Sequence, residues 1–196
     1  MSLALYLSLV RQSLTDPPEA ARRVIALLDS AKARWLALAA VVTAGAALGT
    51  FGELLFSLVT GVDLGPSASP VRLGLIQGAL MIYAAAAMAV FGRQVGGKGD
   101  FAGAFALVVW IQAIMVGAQL VQIVVMTIFP LIGVLMTLTL FVLMIWLLVQ
   151  FTAALHGFES LMWTSVGVLA VLFGSAMMLG SLFLALGIAP PFMAES

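Results

Sequence analysis

The strongest constraint on the fold is a nearly unbroken apolar stretch from Phe101 to Leu155. As a single helix it would be about 80 Å long, whereas the hydrocarbon core of a bilayer is about 30 Å thick. The stretch therefore has to cross the bilayer and return. Pro130, followed by Gly133, is the strong helix-breaking signal near its middle. The stretch is predicted to form two spans, at about 102–128 and 131–155.

Three further apolar stretches predict three more spans, at about 35–60, 71–91 and 160–186. The composition agrees, because 64% of the 196 residues are hydrophobic and only 8% are charged. A soluble domain is about half apolar and about a quarter charged. We therefore predict an all-α polytopic membrane protein, with five transmembrane helices in a compact bundle over residues 35–190 and an external tail at 191–196.

The segment 1–34 precedes the first predicted span and is predicted to be a cytoplasmic or interfacial amphipathic segment that forms two short helices. Asp16 is a good helix N-cap, Pro17 fits the first turn, and Glu19 lies three residues after the cap. The following helix carries an apolar stripe, whereas Arg22 and Arg23 face away from it. A helix this short cannot span a bilayer, so it is expected to lie in the membrane interface. A soluble linker helix without lipid contact is the alternative.

The positions of the basic residues predict the orientation. With five spans, seven basic residues fall on the side of the N-terminus, and Arg72 alone falls on the other. The seven are Arg11, Arg22, Arg23, Lys32, Arg34, Arg93 and Lys98. The positive-inside rule then predicts a cytoplasmic N-terminus and an external C-terminus. Low lysine with abundant alanine, glycine and leucine favours a bacterial inner membrane.

Several kinds of chemistry are not supported by the residues present. The chain has no cysteine and one histidine, His156, which excludes disulfides, thiolate metal sites and multi-histidine metal sites within one chain. There is no nucleophile elbow, no H-E-x-x-H pair and no basic cluster suited to nucleic acid. The turn that holds His156 and Glu159 is interpreted as an ordinary interfacial turn. We expect no catalytic residue and no cofactor.

One carboxylate and five amides lie within the predicted spans. Glu53 is eighteen residues after Trp35, about 27 Å along a helix, which places it close to the external interface. Helical periodicity puts three of the amides on one stripe of the third span, which should face other helices. The candidate intramembrane polar cluster comprises Glu53, Gln77, Gln112, Gln119, Gln122 and Gln150. Its members either act in helix packing or line a polar path.

Three local strings and the five-span layout resemble a known family. The strings are "DPPEAARRVIAL", "GGKGDFAGAFALVVWIQAI" and "LHGFES". Together they resemble the bacterial branch of the Yip domain family, named for proteins interacting with Ypt/Rab GTPases. The resemblance covers nearly the whole chain and implies a five-helix membrane bundle with a cytoplasmic N-terminus.

For eukaryotic members, the resemblance implies roles in membrane traffic, GTPase recruitment and membrane shaping. Those members carry a D-[LI]-Y-G-P-type motif ahead of the first span. The nearest string here, "DLGP" at Asp63 to Pro66, follows the first predicted span and lies on the other side. GTPase binding is therefore not carried over to this chain.

Two functional hypotheses follow. The first is a non-enzymatic membrane-organising or adaptor component of Yip type, in contact with the lipid bilayer and with a protein partner or a second copy of itself. Its candidate headgroup contacts are Arg22, Arg23, Lys32 and Arg34. The second is a small permease or channel subunit, whose path Glu53 and the glutamines would line.

Overall fold

The computed structural model describes residues 2–61 and 69–185, and every element in these ranges is an α-helix. The "DLGP" string, the end of the predicted fifth span and the predicted external tail lie outside the described residues. The helices are α1 (Leu3–Thr15), α2 (Pro17–Leu27), α3 (Ala31–Thr60), α4 (Pro70–Gln94), α5 (Phe101–Ile128), α6 (Pro130–His156) and α7 (Leu161–Ala185).

Five of these helices are long and apolar enough to cross a membrane. They are α3, α4, α5, α6 and the Leu161–Met178 part of α7. The prediction of an all-helical membrane protein with five spans is therefore confirmed. The chain is a multi-pass membrane protein.

The helices begin and end at residues whose chemistry explains the break. Asp16 separates α1 from α2, and its side chain accepts the backbone N–H of Glu19 at 3.2 Å. Pro130 is the first residue of α6, where its missing N–H costs nothing. Gly157 ends α6 with a φ of 73°, a left-handed conformation that glycine adopts readily.

Helix α5 is the centre of the bundle. It packs against α3 and α4 on one side and against α6 and α2 on the other. Its first half, from Gly103 to Ile111, is buried residue after residue. Two hydrophobic cores meet on it: one is shared with α3 and α4, and the other with α1, α2 and α6. A helix flanked on both sides has no lipid-facing stripe in that half, which explains its continuous apolar sequence.

The two N-terminal helices belong to the second core. Ala20, Ala21 and Val24 of α2 are buried against α5 and α6. Arg22 and Arg23 are exposed, on the face predicted from the sequence. The apolar stripe of α2 therefore contacts protein in this structure. The level of α2 relative to the membrane interface stays a prediction.

The two ends of the bundle are called the near end and the far end. The near end is where α3 and α5 begin and α4 and α6 end, and Trp35 of α3 meets Phe105 of α5 there with ring centroids 5.1 Å apart. The far end is where α5 turns into α6 at Phe129. Side chains can therefore be placed by their distance from the near end.

Small residues bring α3 and α4 together within the chain. A Cβ on Gly74 of α4 would lie 3.2 Å from Val42 of α3. A Cβ on Gly45 of α3 would lie 3.4 Å from the amide of Gln77. Gly45 and Gly74, each the first residue of a G-x-x-x-G sequence, therefore serve helix packing within one chain.

Helix α7 lies at the edge of the bundle. It packs on α6 and α4, and the hydroxyls of Ser175 and of Tyr83 on α4 are 2.6 Å apart. Gly167, Gly174 and Gly180 face open space, because no described atom lies within 4 Å of a Cβ built on them. These three glycines of α7 thus have no packing role within the described chain.

Gly133 allows α6 to fold back onto α5. A Cβ there would lie 2.7 Å from the Cα of Met126, which is backbone and cannot rotate away. We expect Gly133→Ala to destabilise the protein by about 1–3 kcal/mol, because the hairpin has to open. Thermal unfolding in detergent measures the change. The matched control is Gly174→Ala, which meets open space and should be neutral or slightly stabilising. Equal midpoints for the two variants would contradict the assignment.

Candidate functional site

A buried polar side chain at the near end, that of His156, bonds to two other segments of the chain. It is the last residue of α6 and is only 2% exposed. Its Nε2 lies 3.0 Å from the carbonyl oxygen of Met88 on α4, and its Nδ1 accepts the backbone N–H of Gly99 at 3.1 Å. Its carbonyl accepts the N–H of Lys98 at 3.3 Å. His156 therefore joins α6 to α4 and to the α4–α5 loop.

These partners determine which ring nitrogen carries the proton. Nε2 faces a carbonyl and donates to it, whereas Nδ1 faces an N–H and accepts from it. This is the neutral Nε2–H tautomer. A second proton, on Nδ1, would place two donors opposite each other. The geometry is that of a structural histidine that holds three segments together.

Glycines make room for the imidazole. A Cβ on Gly92 or on Gly97 would overlap with the ring, and a Cβ on Gly99 would lie 2.8 Å from its Cε1. The predicted interpretation of "LHGFES" as an ordinary turn missed this role. The sequence did hold one signal for this role. The glycine-rich "GGKGD" loop is predicted at the same end of the bundle as His156, and no other role for its glycines is evident.

The predicted polar cluster is distributed over different helix contacts. Gln77 approaches α3 at Gly45, and Gln119 approaches α3 at Gly49. Gln122 points to α6, where its amide donates to the hydroxyl of Thr137 at 2.7 Å. Gln112 on α5 and Gln150 on α6 are half-buried.

Glu53 is exposed on the outer part of α3. Within the described ranges its carboxylate makes no ion pair, including none with Arg72, and the ion pair found there joins Arg22 to Glu19. Glu53 lies on the outside of the bundle and does not converge with the amides.

A cleft of about 180 Å³ opens between α3 and α5. Gln119 and Gln122 contribute its polar side chains together with Thr127, and Gly49 and Gly52 form part of its α3 wall. Glu53 and Gln112 are not among its lining residues. The cleft therefore does not connect the groups that a continuous polar path would require.

The four candidate headgroup contacts differ in exposure and in the bonds that their side chains make within the protein. Arg34 donates to the carbonyls of Leu28 and Asp29, both at 2.8 Å, and so stabilises the turn between α2 and α3. Arg22 pairs with Glu19, and Arg23 donates to Gln12. Both arginines remain exposed, as does Lys32. Arg34 thus has a structural role, and the other three present charge at the surface.

Arg93, one of the seven basic residues on the N-terminal side, is a further near-end cation that was not among the predicted headgroup contacts. It lines a cleft of about 310 Å³ whose other lining residues are Ala86, Ala89, Val90 and Phe101. An apolar cleft with one cation at its rim suits a lipid chain and its headgroup. Arg93 would attract a headgroup in the same way as the surface cations on α2 and α3.

Comparison with known proteins gives one family. A family model described as the Yip1 domain matches residues 11–185. The match runs from the second half of α1 to the last described residue of α7. No curated protein and no solved structure matches the chain.

The role of His156 can be tested by removing its side chain. We expect His156→Ala to destabilise the protein by about 2–4 kcal/mol, because it leaves a cavity and an unpaired N–H on Gly99. Thermal unfolding measures the loss. Glu159→Ala is the matched control, since Glu159 is exposed in the same turn. In a Lys98→Cys background, His156→Ala should also speed maleimide labelling of the loop. Unchanged labelling would show that the loop is held by other contacts.

Proposed function

Because the chain belongs to the Yip1 domain family, we propose that it is a non-enzymatic membrane-organising or adaptor component. It would act through contacts with lipids and with a protein partner or a second copy of itself. The observation that carries the proposal is the separation of the polar side chains. Gln77 and Gln119 approach α3 and Gln122 bonds to α6, which supports a role in helix packing for these amides over a reacting or conducting one.

The near end supports contacts of this kind. Arg22, Arg23 and Lys32 are exposed there, and Arg93 lines an apolar cleft. Basic side chains next to a membrane attract anionic headgroups by about 1 kcal/mol each. We propose that this end faces the cytoplasm of a bacterial cell, in line with the seven basic residues on the N-terminal side. The permease alternative is not favoured, because the α3–α5 cleft includes neither Glu53 nor Gln112.

Anionic lipid should stabilise the protein through these cations. We expect the thermal midpoint to be higher in nanodiscs containing phosphatidylglycerol than in phosphatidylcholine alone. Most of that increment should disappear in the variant Arg22→Gln/Arg23→Gln/Lys32→Gln, which retains the structural Arg34. The control is Arg72→Gln, which removes an exposed cation near the start of α4. An unchanged increment in the triple variant would contradict the electrostatic part of the proposal.

The adaptor role predicts a discrete neighbour at the near end. A photo-crosslinking residue at Val95, which is exposed in the α4–α5 loop, should give a protein adduct of defined mass in native membranes. The same photo-crosslinking residue at Leu138, exposed in the first third of α6, serves as the lipid-facing control. Mass spectrometry distinguishes a foreign partner from a second copy. Lipid adducts alone at both positions would contradict the adaptor role.

A further inference from the structure

Helix α1 is joined to the spanning helix α5 by two hydrogen bonds. The hydroxyl of Tyr6 donates to the carbonyl of Ala113 at 3.0 Å. The indole N–H of Trp110 donates to the hydroxyl of Ser13 at 2.9 Å, and that hydroxyl in turn donates to the carbonyl of Leu9 at 2.8 Å. These contacts bridge about a hundred residues of sequence and fix where α1 lies along α5.

The contacts lie well inside the span. Helix α5 has 28 residues and is about 42 Å long, so about 6 Å protrudes at each end of a 30 Å hydrocarbon layer when the helix is centred. Trp110 and Ala113 are about 14 and 18 Å from the start of the helix. They are therefore about 8 and 12 Å inside the hydrocarbon layer, and the layer's midplane is about 15 Å deep.

The two contacts also set the direction of α1. Tyr6 meets the deeper position on α5 and Ser13 meets the shallower one. The N-terminal half of α1 therefore points toward the middle of the bilayer. Its C-terminal half leads back toward the near end, where Asp16 begins the turn into α2.

Gly117 provides the space for the deep contact. A Cβ on Gly117 would overlap with the hydroxyl of Tyr6. The ring of Tyr6 packs edge-on against Trp110, with centroids 5.7 Å apart. The Tyr6 hydroxyl thus occupies the space that a side chain at position 117 would need. This space is called the seat of α1 on α5.

The polarity of α1 decreases from its shallow half to its deep half, as the direction of the helix requires. Its polar residues with long side chains, Arg11 and Gln12, lie in the shallow half. In the deep half, the hydroxyl of Ser8 donates to the carbonyl of Leu5, so its polarity is satisfied within the helix. Ser2 accepts the N–H of Leu5 and so caps the deep end of the helix.

The outward face of the deep half is apolar and uncovered. Leu3 is 72% exposed and Leu7 is 54% exposed, and they lie one turn apart on the same face. The spanning helices also expose large apolar side chains, such as Val142 of α6. At hydrocarbon depth, an exposed apolar face meets acyl chains, and these are the occupant we assign to it.

We propose that α1 is a half-membrane helix inserted into the near-end leaflet, with its N-terminal half deepest and acyl chains against Leu3 and Leu7. The proposal extends the prediction of an interfacial N-terminal segment. It depends on α5 spanning the membrane and does not depend on the adaptor function.

Spin labels test the depth of α1 in the full-length protein. The chain has no cysteine, so single cysteine variants give unambiguous labels. Leu7→Cys is compared with Leu138→Cys, exposed in the first third of the spanning helix α6, and with Arg22→Cys on the exposed face of α2. The probes are oxygen, which enters hydrocarbon, and a water-soluble nickel chelate, with protein reconstituted in phosphatidylcholine–phosphatidylglycerol vesicles. We expect the oxygen-to-nickel accessibility ratio at position 7 to match that at 138 and to be several-fold higher than that at 22.

Each other result overturns the proposal. Nickel accessibility at position 7 equal to that at 22 would place α1 in water or among headgroups. Low accessibility to both probes would mean that protein, such as a second copy, covers Leu7.

The seat at Gly117 is tested in the same labelled background. Gly117→Val should expel Tyr6 and raise nickel accessibility at position 7 several-fold. Gly174→Val, which meets open space on α7, is the matched control and should leave it unchanged. Tyr6→Phe removes the hydroxyl alone and should give an intermediate shift. If Gly117→Val leaves the depth unchanged, Tyr6 and Gly117 do not anchor α1, and that part of the proposal is overturned.

Discussion

The packing of α5 on two opposite sides is the constraint on which the remaining structure depends. Helices in lipid gain little from the hydrophobic effect when they associate, because acyl chains are as apolar as leucine. Their association depends on close packing and on hydrogen bonds between helices. The first half of α5 is suited to close packing, since Gly103, Ala104 and Ala106 are small and buried. It therefore accepts neighbours on both faces, and the two cores of the protein form around it.

Hydrogen bonds between elements are concentrated in the near half of the bundle. His156 joins α6, α4 and the α4–α5 loop, while Tyr6 and Ser13 join α1 to α5. In the far half, the bond from Gln122 to Thr137 connects α5 to α6. A polar group at hydrocarbon depth has no water to return to, so each such bond favours one arrangement of the helices. The near half is accordingly the better specified part of the fold.

Local features of the sequence were sufficient for the spans and several helix boundaries. The apolar stretches, Pro130 and the Asp16 cap act within a few residues of themselves, so their consequences could be derived without tertiary structure. The role of His156 could not, because its partners Met88 and Gly99 are 68 and 57 residues away. The seat of Tyr6 on α5 likewise depends on a contact across 107 residues. A lone histidine or tyrosine carries no pattern, so its meaning emerges only when the helices are assembled.

The glutamines show that one helical periodicity is compatible with two functional interpretations, a polar path and separate helix contacts. Helical geometry places Gln119 and Gln122 about 60° apart on α5, and that angle is compatible with a common polar path. Because α5 has neighbours on both sides, the same angle directs Gln119 toward α3 and Gln122 toward α6. Each amide is then used against a different helix, as expected of residues that connect a bundle. The number of neighbours around a span, which periodicity alone cannot supply, decides whether a polar stripe forms a path or a set of separate contacts.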